Sequence, residues 1–298
     1  MRMNFRFPLR GSGRVTPAAS VTEVAPPAVL RPVTARPQAL GRIVPFQPAG
    51  QMPPLFHLHI PRCAGTSVRR LLGRLYGEAG LLAGVQDIAS EIVAGRRAPE
   101  RADCLSGSLP LMRWELLRDN AAFARMTVLR DPWARLVSQI NRLVVLGHSA
   151  GPDGSAAQAL AMELMDADFT SRAGLERVRR RVPMGEGGLD NLQTRMLLTG
   201  TMSAMVKPLQ ARDVDRAAEA LEGFAVIGFC EDMVATERAV LAHARSDLRP
   251  MPAFEGAGKG GLLSVRNDLA REVFQPWIAF DQDLYRRARA LVAARQPV

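Results

Sequence analysis

Residues 55–60 read LFHLHI, in which apolar residues alternate with histidines from Phe56 onward, and this pattern predicts a short buried strand. Phe56 and Leu58 share one face of this strand, and His57 and His59 fall on the other. After a short loop the apolar spacing changes from two residues to about 3.6, which predicts an amphipathic helix. The apolar positions of that helix are Val68, Leu71, Leu72, Leu75 and Tyr76.

The same succession of strand, turn and helix occurs twice more along the chain. Residues 126–130 form a predicted strand, and Pro132, which suits a first helical turn, precedes a predicted helix over residues 133–146. Residues 224–229 form a third predicted strand, followed by a helix over residues 233–244. Strands that alternate with amphipathic helices are typical of a parallel sheet covered on both faces. We therefore expect an α/β fold with a central parallel sheet and flanking helices, closed by two C-terminal helices over residues 268–278 and 281–294.

Composition divides the chain into a leader, residues 1–50, and a domain, residues 51–298. The leader holds seven arginines against one acidic residue and eight of the 21 prolines, without helical or strand periodicity. Such a segment buries too little apolar surface to offset the entropy of ordering it. We expect a flexible basic leader, with an organellar transit peptide as the weaker alternative.

The charge and the cysteines exclude several function classes. The leader carries +6 of the net charge of +10, and the diffuse +4 that remains does not indicate nucleic-acid binding. The three cysteines form no C-x-x-C pair, which argues against a disulfide framework or a zinc site. The chain has no apolar stretch of about 18 residues and no secretory signal. We expect a cytoplasmic protein without a transmembrane segment or a metal.

The loop PRCAGTS, residues 61–67, joins the first predicted strand to its helix and is a candidate phosphate site. Gly65 allows close approach of the backbone, Thr66 and Ser67 offer hydroxyl groups, and Arg62 adds a forked positive charge. The loop lacks the second glycine and the lysine of the Walker A pattern, which disfavours ATP hydrolysis. On this loop alone, a simple N-cap formed by Thr66 and Ser67 explains the residues equally well.

A second candidate site follows the second predicted strand. Arg130 lies at the carboxyl end of that strand, and Ser138 lies on the helix that follows. Ligands of open α/β sheets bind beyond the carboxyl ends of the strands. Taken singly, Arg130 is better explained as a surface ion pair and Ser138 as a solvent-facing residue. Two such candidates at strand ends of one sheet favour a ligand with two anionic groups.

Both motifs resemble those of sulfotransferases that use 3′-phosphoadenosine 5′-phosphosulfate (PAPS). FHLHIPRCAGTS resembles the family's 5′-phosphosulfate loop, H-I-P-K-T-G-G-T-S, and TVLRDPWARLVS resembles its 3′-phosphate motif, R-D-P-x-x-R-x-x-S. The two motifs occur in the family's order. Two later segments, DNLQTRML and FAVIGFCEDM, are similar to family members that act on carbohydrates, and FDQDLYRRA resembles the family's usual C-terminal D-x-x-L-Y.

The resemblance implies a P-loop NTPase-like sulfotransferase fold and transfer of a sulfuryl group from PAPS, leaving adenosine 3′,5′-bisphosphate. Residues of the first motif would hold the 5′-phosphosulfate: Arg62, Cys63, Ala64, Gly65, Thr66 and Ser67. Arg62 replaces the family's lysine and would stabilise charge on the bridging oxygen, while Arg130 and Ser138 would bind the 3′-phosphate. The implied acceptor is a carbohydrate or another hydroxyl-bearing molecule, acidic polysaccharides included.

The catalytic base is where the sequence departs from the family. Many members carry G-H-x-P, whereas this chain reads Gly107-Ser108-Leu109-Pro110, so that Ser108 stands in the histidine position. Serine is a poor base unless another group activates it. His59, His57 and Glu115 are the candidate replacements. We assign the catalytic role to Arg62, His59 and Ser108.

Three points stay open at this stage. The chain can be a family member that binds the nucleotide without catalysis, because Ser108 replaces the base. It can also be a P-loop kinase-like phosphotransferase, although the missing Walker lysine counts against this. Finally, the position of Cys63 at a helix N-terminus beside Arg62 suggests a lowered thiol pKa, while a packed side chain is the simpler expectation.

Overall fold

The computed structural model describes residues 52–93, 102–117, 120–149, 156–182, 186–198, 207–249 and 261–295. The leader predicted at residues 1–50 lies outside these ranges. Among the described helices, none is both long enough and apolar enough to cross a membrane.

The central element is a parallel sheet of five strands in the order β2-β3-β1-β4-β5. The strands are β1 (Leu55–Leu58), β2 (Leu81–Ala83), β3 (Cys104–Gly107), β4 (Ala124–Leu129) and β5 (Val226–Phe229). The predicted α/β class with a central parallel sheet and flanking helices is therefore confirmed.

The helices in the described ranges connect and cover these strands. They are α1 (Gly65–Gly80), α2 (Val85–Val93), α3 (Leu111–Trp114), α4 (Pro132–Ser149), α5 (Ala156–Met165), α6 (Arg172–Arg181), α7 (Leu192–Leu197), α8 (Ala211–Glu222), α9 (Met233–His243), α10 (Asp268–Val273) and α11 (Ala279–Arg295). The helix predicted over residues 268–278 ends early as α10 and continues as a 3₁₀ turn with Pro276 in its first turn. Proline has no N–H to donate to the preceding turn, so α10 cannot continue through it.

Alternate side chains of the strands enter different cores. On one face of the sheet, α1 and α9 pack against Leu55 and Met126. On the opposite face, α7, α8 and α11 pack against Phe56 and Ile227. A further apolar cluster joins α4, α5, α6 and α10. The alternation read from residues 55–60 therefore corresponds to two buried faces, as a parallel sheet requires.

The strand order creates a crevice beyond the carboxyl ends of β1 and β4. From β1 the chain passes to β2 and β3 on one side of the sheet, and it then crosses to β4 and β5 on the other side. Connections that leave two adjacent strands in opposite directions open a ligand-binding crevice between them. Both predicted phosphate motifs begin at this point.

Candidate anion-binding site

The loop between β1 and α1 directs main-chain donors toward the crevice. Arg62 and Ala64 have positive φ angles of 72° and 52°. Ala64 is the N-cap of α1 and supplies no side-chain cap, while Thr66 and Ser67 lie inside the first turn. The N-cap explanation of Thr66 and Ser67 is therefore wrong. The first N–H groups of a helix have no partner within it, which leaves those at the start of α1 suited to an anion.

The imidazole of His59 lies directly beneath the first turn of α1. A Cβ atom added to Gly65 would lie 2.0 Å from His59 Nε2, a separation that atoms do not tolerate. A side chain at position 65 would therefore force the His59 ring to move, a constraint within the protein in addition to the predicted approach of a ligand.

The side chains of the two motifs meet at this crevice. Arg62 Nε donates a hydrogen bond of 2.9 Å to Ser138 Oγ, across 76 residues of sequence. Arg130 Nη1 donates to the carbonyl oxygen of Arg62 at 3.1 Å. Arg62 is exposed, and Arg130 and Ser138 are half-buried, so that all three are accessible to a ligand. The predicted 5′ and 3′ binding residues thus form one cluster.

Positive charge is concentrated around Arg62. Partial burial lowers the pKa of its guanidinium, and the charges of Arg130, Arg142 and Arg135 lower it further. Like charges held this close repel one another, and an anion bound between them relieves that repulsion. Forked guanidinium donors and free helix N–H groups are the donor set that suits phosphate and sulfate groups.

Two histidine–serine pairs lie beside the loop. The strand register aligns His57 with Ser106, and His57 Nδ1 lies 2.9 Å from Ser106 Oγ. Two residues further along each of these segments, His59 Nδ1 lies 3.4 Å from Ser108 Oγ. The two residues assigned to proton transfer, His59 and Ser108, are therefore brought together.

The environment keeps both imidazoles neutral at pH 7. Burial, followed by the charges of Arg69 and Arg62, lowers the pKa of His59 from 6.5 to about 4. Burial, followed by the charges of His59 and Arg69, lowers the pKa of His57 to about 3. A neutral imidazole has one ring nitrogen that can accept a proton.

Cys63 is a packed residue. Its side chain is 1% exposed, and Sγ lies 3.8 Å from Gln193 Oε1, to which it donates. Burial, with the neighbouring Cys230 thiol, raises the pKa of Cys63 well above its usual value. The alternative of a lowered thiol pKa is therefore wrong, because desolvation outweighs the helix N-terminus. The N–H of Cys63 already donates to the carbonyl oxygen of Ile60 at 3.1 Å, so a ligand would compete for it.

Two of the later segments, FAVIGFCEDM and FDQDLYRRA, contribute hydrogen bonds at the start of α4. Glu231 Oε1 accepts from the N–H of Asp131 at 2.8 Å. Glu231 Oε2 accepts from the hydroxyl of Tyr285 at 2.7 Å. This link fixes the chain immediately after Arg130.

Arg135, the second arginine of the R-D-P-x-x-R-x-x-S motif, is fully buried on α4. Its Nη2 donates to the carbonyl oxygen of Leu189 at 3.4 Å, whereas Nε and Nη1 have no hydrogen-bond partner in the described part of the chain. Its charge acts on both Arg62 and Cys63. An arginine beside the apolar stripe of a helix normally reaches solvent, so helical periodicity gives no signal of this burial.

A cavity of about 770 Å³ lies at the other edge of the sheet, where β4 and β5 begin. Its lining includes Glu115, Arg125 and Arg295 and none of the predicted site residues. The residues of both motifs lie at the crevice and none of them lines this cavity, so we take the crevice as the candidate site. Glu115, one of the candidate bases, is thereby separated from it.

Comparisons with known proteins find similarity among solved structures. No family model matches the chain, and no curated protein matches it. Among solved structures, the chain is similar to the crystal structure of mouse sulfotransferase SULT7A1 complexed with PAP, at 12% sequence identity and a TM-score of 0.39. The alignment covers 82% of this chain and 90% of the mouse chain.

Proposed function

We propose that this protein is a sulfotransferase that moves a sulfuryl group from PAPS to a hydroxyl group of a carbohydrate-type acceptor. The observation that carries the proposal is the contact of Arg62 with Ser138 and Arg130 at the β1–β4 crevice. PAPS carries anionic groups at its 5′ and 3′ positions, and each motif supplies a guanidinium for one of them.

The residues divide by the group that they bind. Arg62 and the N–H groups at the start of α1 bind the 5′-phosphosulfate, and Arg130 with Ser138 binds the 3′-phosphate. PAPS, when bound, supplies the activated sulfuryl group. Arg62 stabilises the negative charge that develops on the bridging oxygen during transfer. By analogy with oxyanion holes, loss of one such fixed donor costs about 3–4 kcal/mol of transition-state stabilisation.

Ser108 and His59 accept the proton of the acceptor hydroxyl. Ser108 is half-buried and accessible, and its Oγ lies 3.4 Å from His59 Nδ1. Ser108 Oγ takes the acceptor's proton while its own proton passes to His59 Nδ1. The low pKa of His59, about 4, makes it a weak base in the free protein. An anion bound at Arg62 offsets one of the charges that lower this pKa, so that donor binding increases the basicity of His59.

Thermal unfolding in the presence of adenosine 3′,5′-bisphosphate or ATP tests the donor assignment. At a hundredfold excess over Kd, a ligand adds about 2.7 kcal/mol of stability. We expect the bisphosphate to raise Tm, ATP to have a smaller effect, and Arg130→Ala to reduce the shift. Arg125→Ala is the matched control, because Arg125 lies near the end of β4 that is far from Arg130 and donates to Gly223 O. A larger shift with ATP contradicts the proposal and favours a phosphotransferase.

Transfer of radiolabelled sulfur from PAPS tests catalysis separately. Neutral oligosaccharides, acidic polysaccharides and small alcohols serve as acceptors. Labelled product that is lost in Arg62→Ala and His59→Gln supports the assigned roles. Binding of the bisphosphate without product from any acceptor class favours the alternative of a nucleotide-binding protein without catalysis.

A further inference from the structure

One buried side chain contacts both segments that carry the anion-binding arginines. Gln193, near the start of α7, accepts at Oε1 from the main-chain N–H of Arg130 at 2.9 Å. Its Nε2 donates to the carbonyl oxygen of Arg130, also at 2.9 Å. The same Oε1 accepts from the Cys63 thiol, whose residue directly follows Arg62.

The double hydrogen bond fixes the main chain of Arg130. Arg130 lies one residue beyond the end of β4. An amide that pairs with both the N–H and the C=O of one residue acts as a neighbouring strand would. The Gln193 side chain is 1% exposed, so water does not compete for these bonds. The direction in which the Arg130 side chain leaves the backbone is thereby set.

Gln193 is in turn held from the C-terminal helix. The fully buried carboxylate of Asp281, on α11, accepts from the N–H of Gln193 at 3.1 Å. It also accepts from the N–H and hydroxyl of Thr194, at 2.7 and 2.8 Å. The main chain of Gln193 is therefore held by a residue of the helix α11 and not by a loop.

We infer that Gln193 is a positioning residue of the anion site, which holds Arg130 and the loop of Arg62 in register so that both guanidinium groups face one ligand. The identity of that ligand rests on the proposed function. The two cationic residues repel each other, and neutral groups hold them together. These neutral contacts form a closed set of hydrogen bonds. Arg130 Nη1 donates to Arg62 O, the next residue, Cys63, donates to Gln193, and Gln193 pairs with the main chain of Arg130.

Two substitutions separate positioning from simple packing. Gln193→Met has a similar length and removes all three polar contacts. Gln193→Glu keeps the size and the acceptor but cannot donate to the Arg130 carbonyl oxygen in its ionised form, and it carries the same test if the Met variant does not fold. Thr194→Val is the matched control, because it removes a buried hydrogen bond from the same short helix without a contact to Arg130 or Cys63.

Calorimetric titration of the full-length protein with adenosine 3′,5′-bisphosphate measures how each substitution changes the binding affinity. We expect Gln193→Met to weaken binding by about 10- to 100-fold, the range observed for residues that orient metal ligands. Thr194→Val should leave the affinity within about twofold of the wild type, since Thr194 contacts neither Arg130 nor Cys63 and Asp281 keeps its bonds to the main-chain N–H groups of Gln193 and Thr194. Gln193→Met should weaken binding less in an Arg130→Ala background than in the wild type, because only its contact with the loop of Arg62 then still affects the site. Equal losses in both backgrounds, or an equal loss in Thr194→Val, would overturn the inference.

A second readout does not depend on the ligand. If the wild type fails to bind the bisphosphate, the proposed function fails, and crystal structures then decide the positioning role. In Gln193→Met we expect the Arg130–Arg62 and Arg62–Ser138 hydrogen bonds to be lost. Their persistence at the wild-type distances would show that Gln193 does not position these residues.

Discussion

The buried His57 should make the stability of this protein depend strongly on pH. Its side chain is 1% exposed, Nδ1 pairs with Ser106 Oγ at 2.9 Å, and Nε2 has no hydrogen-bond partner in the described chain. Burial, and then the charges of His59 and Arg69, lowers its pKa from 6.5 to about 3. Removal of the titrating group by His57→Gln is the perturbation that isolates its contribution.

The sign of the effect follows from proton binding in the two states. Below pH 6.5 the unfolded chain binds a proton at His57, whereas the folded protein does not bind it until about pH 3. The stabilising contribution is thus fully present above pH 6.5 and is lost as the pH falls from 6.5 toward 3. Linkage between these two pKa values gives a loss of about 2 kcal/mol between pH 7 and pH 5.

Urea unfolding at pH 7, 6 and 5 measures this loss. We expect the wild type to lose about 2 kcal/mol more than His57→Gln between pH 7 and pH 5. Ser106→Ala is the control, since it removes the hydrogen bond to Nδ1 but keeps the imidazole, and should retain the wild-type pH dependence. Identical pH dependence in the wild type and His57→Gln would refute the assignment of a strongly lowered pKa.

Two further predictions concern His59. Gly65→Ala should destabilise the protein by about 1–3 kcal/mol through overlap with the His59 ring, and His59→Ala should remove most of that penalty; additive losses in urea unfolding would contradict this. Addition of adenosine 3′,5′-bisphosphate should raise the pKa of His59 above about 4, as followed by NMR titration of its ring protons. An unchanged or lower pKa in the saturated complex would show that ligand charge does not reach the imidazole.

The sequence predicts the elements whose periodicity is long enough to read. α1 and α4 show several helical turns of apolar spacing, and β1, β4 and β5 begin and end within two residues of the predicted bounds. β2 and β3 contain three and four residues, too few for alternation to separate a strand from a loop. Three strands were therefore enough to predict an α/β fold with a parallel sheet, but the order of the five strands was not predictable.

The anion site was predictable in its main residues, whereas the roles of its supporting residues were not, although Gln193, Glu231 and Tyr285 lie in segments that resemble the family. Arg62, Arg130 and Ser138 belong to motifs with clear spacing, and they meet as expected of strand ends in one sheet. Gln193 lies on a six-residue helix without readable periodicity, and its role depends on a main-chain group that is distant in sequence. For Cys63, the sequence indicates the nearby helix end but not the burial, which has the larger effect on the thiol pKa.

The contrast with Arg195 explains why Arg62 and Arg130 are functional candidates. Arg195 is buried, its guanidinium forms an ion pair with the carboxylate of Asp190, and it also bonds to two carbonyl oxygens. Its charge is thus neutralised within the protein, as in a structural ion pair. Within the described residues, the side chains of Arg62 and Arg130 bond only to a neutral hydroxyl and a neutral carbonyl group. These contacts orient the two cations without neutralising them, so their charge remains available to an anionic ligand.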